Sequence, residues 1–158
     1  MKKAMKFDLK TSPLLLAVEQ GDLERVSQSI GELETVDIRD RDGNTPLIRA
    51  SFLGNIDLVR ILLGHGAEAN AVNNRGWSGL HFAAQENREN VAKLLFDAGA
   101  IVDLRDVDGN TPLSNAVFAS AKEMIVFLLA KGASLDTPND HGVSPRELAD
   151  SMGLVLGG

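Results

Sequence analysis

Asp42-Gly43-Asn44-Thr45-Pro46-Leu47-Ile48-Arg49-Ala50 is the stretch on which the reading of this chain turns. Asp-Gly marks a tight turn. Thr45 is a helix-capping residue, and Pro46 suits the first helical position, where a missing N–H costs nothing. Leu47 and Ala50 then fall on one helical face. The pattern returns 33 residues on, ending at Ala83, again at Ala116, and in weaker form at Ala149. Gly43, Gly76, Gly109 and Gly142 keep that spacing, as do the pairs Gly66-Ala67, Gly99-Ala100 and Gly132-Ala133. A fixed period of this length is the mark of a repeat architecture.

Each unit reads alike. A short first helix runs over about Pro46 to Phe52, with Ser12-Pro13, Thr111-Pro112 and Ser144-Pro145 repeating its start and Ser78-Gly79 lacking the proline. Gly54 then permits a turn at positive φ, matched by Gly21 and Gly153. Asn87 tolerates that conformation, whereas Ser120 predicts a distorted turn. A second helix covers about Ile56 to His65, with Ile56, Val59, Leu62 and Leu63 as its apolar face. Gly66 ends it. Asp42-Gly43, Arg75-Gly76, Asp108-Gly109 and His141-Gly142 carry hairpin-turn signatures. The expected fold is therefore an all-α repeat solenoid of helix-turn-helix units joined by β-hairpin loops. Residues 1–158 make one domain: a capping repeat at 7–38, three internal repeats over 39–136, and a second cap at 137–158. No unit buries both its helices alone, so stacking creates the core.

Composition agrees. At 158 residues, 44% of them apolar and 24% charged, the chain has the makings of a packed domain and not of a disordered one. Without cysteine it has no disulfide, thiolate nucleophile or thiolate metal site. A net charge of -6 opposes a nucleic-acid partner and favours a basic one. The basic start Met1-Lys2-Lys3 leads into no apolar segment of a secretory signal, and no run is long enough to cross a bilayer. A cytoplasmic protein, monomeric when free and away from membranes, is expected.

The stretch from Asp42 to Ala50 resembles the signature of the ankyrin-repeat family. Gly76 to Ala84 carries the family's common histidine as His81 and departs at Ser78 and Gly79. Leu62-Leu63-Gly64-His65-Gly66-Ala67 is similar to the family's second-helix end. The resemblance covers nearly the whole chain. It implies a protein-binding module, not an enzyme, whose partner sits on a concave side made of loop tips and first helices. Small solitary bacterial members are in some cases linked to toxin neutralisation, so an immunity-like inhibitor is one reading. A structural or homo-oligomeric part is another.

Candidate partner-binding residues are those that vary between units while the scaffold positions do not. Around the turns these are Arg41, Asn44, Asn74, Arg75, Trp77, Val107, Asp108, Asn110 and His141; on the first helices they are Phe52, Gln85, Glu86 and Phe118. Trp77, the sole tryptophan, suits an exposed binding hot spot or a filler over the Gly79 gap. Phe52 and Phe118 share one repeat position and would form an apolar strip with it. Arg39 and Arg105 are expected to pair with Asp42, Asp106 or Asp108. Nothing points to catalysis, a cofactor or a metal. His65, His81 and His141 fall at different repeat positions, and Asp40-x-Asp42-Gly43 and Asp106-x-Asp108-Gly109 lack the remaining ligands of a calcium loop.

Overall fold

The structure is a computed structural model that describes residues 12–156. Helices α1 (Pro13–Gln20), α3 (Pro46–Leu53), α5 (Gly79–Gln85), α7 (Pro112–Phe118) and α9 (Pro145–Ser151) are the first helices of successive units. The second helices are α2 (Leu23–Gly31), α4 (Ile56–Gly64), α6 (Glu89–Asp97) and α8 (Lys122–Ala130). First helices pack on first helices along the chain, second on second, and each first helix on its own second helix. The result is an all-α stack with two parallel rows.

The core lies between the rows. Leu47, Leu80 and Leu113 are buried at one repeat position, and Leu62, Leu95 and Leu128 at another. Each such leucine stabilises the stack by about 1.5–3 kcal/mol relative to an exposed one. Ala50, Ala83 and Ala116 are fully enclosed and set how closely first helices approach. Gly79 has a similar cause: a Cβ there would lie 2.7 Å from Ser51 Oγ on the preceding first helix.

First helices start as the sequence dictates. Thr45 Oγ1 accepts from Ile48 N at 3.3 Å, and Ser144 and Glu147 form a reciprocal capping box. The turn after each first helix needs one left-handed residue. Gly54 supplies it at φ 72°, and Asn87 and Ser120 supply it at 53° and 54°. The Ser120 turn is not distorted. Ser120 N donates to Val117 O at 2.9 Å and Ala121 N to Ala116 O at 2.9 Å, the same pair that Gly54 and Asn55 make with Ser51 and Ala50. The serine accepts the backbone strain instead.

The loops correct the expected fold: they are not β-hairpins. Among the described residues they hold only isolated bridge positions, such as the antiparallel pair Val72 to Ser78, and no paired strands. The cause is a set of side chains at 33-residue spacing. Asp40 Oδ1 accepts from the N–H groups of Asp42 and Asn44, Asn73 Oδ1 from Arg75 and Trp77, Asp106 Oδ1 from Asp108 and Asn110, and Asn139 Oδ1 from His141 and Val143, all at 2.8–3.0 Å. Two donors that a strand ladder would need are thereby committed within each turn. The calcium-like Asp40 and Asp106 are thus turn formers.

Adjacent loops are joined at their tips. Asn74 N donates to Asp42 O, Val107 N to Arg75 O, and Asp140 N to Asp108 O, at 2.9–3.1 Å. Arg39 and Arg105 do not pair with Asp42, Asp106 or Asp108. Arg39 donates to Gly43 O and to Val72 O of the next unit; Arg105 donates to Pro138 O and Asp140 Oδ1. The guanidinium forks therefore brace one unit against another.

Candidate binding groove

Trp77 is 9% exposed, so of its two expected states, exposed or packed, the ring takes the packed one. Its Nε1 donates to Asp106 Oδ2 at 2.9 Å, its ring stacks near His81 with centroids 6.1 Å apart, and Arg75 lies 4.3 Å over its face. The units on either side place Asn44 and Asn110 at the same position. Asn73 Nδ2 donates to Asn44 Oδ1 at 2.9 Å, and Asn139 Nδ2 to Asn110 Oδ1 at 2.8 Å. Trp77 is thus the middle member of three cross-loop links, with the indole as donor because Asp106 offers an acceptor.

Phe82 was not singled out from the sequence, yet it completes an aromatic chain. Its ring meets Trp77 edge-on at 4.9 Å and Phe52 edge-on at 5.7 Å. The spacing signal was available: Leu16, Arg49, Phe82, Asn115 and Leu148 share one repeat position on the first helices.

Beyond Trp77 the surface opens into a groove of about 450 Å³ between the loops and α5, α7 and α9. Six of the expected residues line it: Arg75, Trp77, Gln85, Asn110, Phe118 and His141. Asn115, Val143, Ser144 and Leu148 add to its walls. Phe118 is 72% exposed on the rim. The other candidates lie apart from this groove. Asn44 is buried in its cross-loop link, and Asn74 Nδ2 is bonded to Arg41 O. Val107 and Asp108 are exposed at a loop tip, Arg41 is exposed on an earlier one, Phe52 is exposed on α3, and Glu86 is half-buried at the end of α5.

His81 lies beneath the groove wall and is 0% exposed. Ser78 N donates to its Nδ1 at 3.2 Å, and its Nε2 faces Asn110 O at 3.4 Å. Nδ1 is therefore the acceptor and Nε2 the proton carrier. Burial lowers its pKa to about 4, against the smaller opposing pull of Asn110 O and Asp106. Asp40 is the other buried titratable group among the described residues. Burial raises its pKa, but hydrogen bonds from Arg49 and Asn44 outweigh that and hold it below its usual value. Arg49 Nη2 lies 2.6 Å from Asp40 Oδ2. Both groups are occupied by scaffold contacts. Among the described residues no group of three or more His, Asp or Glu could hold a metal ion, and no helix is long and apolar enough to cross a membrane.

A stack of short helix pairs with turn-locked loops and an open groove beside them defines a class of protein-recognition scaffold. The family model described as Ankyrin repeats (3 copies) matches residues 2–73 and 54–139, and the chain belongs to the ankyrin-repeat family. It is a protein–protein interaction module. It is 31% identical over 120 residues to protein phosphatase 1 regulatory subunit 27 of Mus musculus, covering 75% of this chain and 76% of that protein. It is 41% identical over 92 residues to NF-kappa-B inhibitor delta of Mus musculus, covering 57% of this chain and 28% of that longer protein.

Proposed function

We propose that this module grips a partner protein across the face made by its loops and first helices, with the groove beside Phe118 at the centre, and thereby positions or neutralises it. The observation that carries the reading is Phe118 itself: an aromatic side chain 72% exposed on the rim of a cavity of about 450 Å³. Aromatic anchors next to a pocket carry much of the energy of protein association. A surface built on packed helices and cross-bonded loops is already ordered, so little freedom is lost on binding. The net charge of -6 favours approach by a basic partner at long range. The chain's full lack of cysteine suits a cytoplasmic setting.

Restraint of the partner, in the manner of an immunity protein, is the finer form of the reading. It is supported by analogy with two relatives, one named as a regulatory subunit and one as an inhibitor. Capture from a native lysate, comparing wild type with Phe118→Asp and the second-helix control Val126→Asp, tests the groove. The expected result is a specific protein retained by wild type and by Val126→Asp and lost with Phe118→Asp. Equal retention by all three baits refutes the groove as the centre of binding.

A further inference from the structure

Asn115 is the one first-helix residue at its repeat position whose polarity has no structural use. Leu16 and Leu148 are aliphatic there, Phe82 joins the aromatic chain, and Arg49 is held by Asp40. Asn115 is 7% exposed, lines the groove, and its Nδ2 has no hydrogen-bond partner among the described residues. An enclosed amide without a partner weakens a fold that a leucine would serve better. The charge around it is one-sided. Arg75 lines the groove, and no carboxylate does. Its guanidinium lies over Trp77, and it makes no ion pair among the described residues.

Resting on the proposed use of this groove, we infer that its occupant is an extended segment of the partner protein in which an acidic residue adjoins a large apolar one. The apolar side chain sits between Trp77, Phe118 and Leu148. A peptide carbonyl of the segment accepts from Asn115 Nδ2, and the neighbouring carboxylate meets Arg75. The net charge of -6 acts on the partner as a whole and at distance, whereas the segment is selected by the few side chains it touches.

A library of random twelve-residue peptides displayed on phage and selected against the full chain reads this directly. Enriched peptides should carry Asp or Glu beside Leu, Phe or Trp. A synthetic peptide of the enriched sequence should bind about 5- to 10-fold more weakly to Asn115→Leu and to Arg75→Gln, and equally well to Val126→Asp. Asn115→Leu should at the same time melt higher than wild type, which separates lost recognition from lost folding. Enrichment of basic or purely polar sequences, unchanged affinity with Asn115→Leu, or a lower melting temperature for that variant overturns the assignment. So does self-association through this face, seen as a dimer in light scattering that Phe118→Asp dissolves. If the partner captured from lysate needs Phe118 but binds Asn115→Leu and Arg75→Gln as well as wild type, the inference fails while the groove's role in binding stands.

Discussion

Acid should loosen this protein through His81, and the size of the effect follows from its surroundings. The unfolded chain holds the imidazole at its ordinary pKa of 6.5, while in the folded chain it is about 4. Between those values the unfolded state binds a proton that the folded state refuses, so stability rises with pH across the window and is lost as pH falls. Protonating Nδ1 would also set its new N–H against the Ser78 N–H that now donates to it. From about pH 7.5 to about pH 5 the loss is about 2 kcal/mol, and the full difference at more acid pH is about 3 kcal/mol. Asp40 acts in the same sense only below its usual range, where its bonds to Arg49 and Asn44 fail as it protonates. Asp37, raised chiefly by burial, acts in the opposite sense. Both are shared with the comparison variant His81→Gln. Glutamine can serve the capping box with Ser78 but does not titrate. Urea unfolding of both proteins at the two pH values, followed by far-UV circular dichroism, gives the difference in slope. Wild type should lose about 2 kcal/mol more than His81→Gln on acidification. Equal losses would show that the imidazole is not held neutral by its enclosure, and the reasoning from burial would be wrong.

Three further outcomes are expected. Trp77→Phe and Asp106→Asn break the same indole–carboxylate hydrogen bond, so a double-mutant cycle in thermal unfolding should give a coupling of about 1–2 kcal/mol; strict additivity would deny the link. Ser120→Gly should stabilise by about 0.5–1 kcal/mol by relieving the left-handed strain, and Ser120→Val should destabilise by more than about 1 kcal/mol, both read as shifts in melting temperature. Arg49→Ala should cost about 2 kcal/mol at neutral pH by leaving the enclosed Asp40 carboxylate without its charge partner, and the cost should shrink as the pH falls below 3.8 and Asp40 protonates. A cost that stays constant into acid would refute the ion-pair account.

The helical rows were legible because their causes are local and periodic. Thr45-Pro46 sets a helix start, Ala50 a close approach and Gly54 a turn, and each recurs at one spacing. The loops were misread for want of their side chains' partners. Asp42-Gly43 has the look of a hairpin turn, but Asp40 two residues earlier takes the N–H groups that strands would share. The series Asp40, Asn73, Asp106 and Asn139 stood in the sequence at the right spacing, yet its role depends on a folded turn. Six candidate residues meet in one groove because period places them on one side of the stack. The sequence leaves Trp77 either exposed or packed, because nothing in its own unit reveals that Asp106, 29 residues away, accepts its indole proton. Asn115 was missed for the opposite reason, since a polar residue on a short helix signals nothing until its enclosure is known.

The three links between neighbouring loops differ in which side gives the proton. Asn73 gives to Asn44, Trp77 gives to Asp106, and Asn139 gives to Asn110. Copies of the unit are consequently keyed, not interchangeable. If the unit carrying Trp77 were duplicated in tandem, its indole N–H would face the Asn73 amide of the next copy, donor against donor. Lengthening this chain by recombination, in the laboratory or over generations, therefore calls for a compensating change at the junction, and the order of its units is written in the polarity of those junctions.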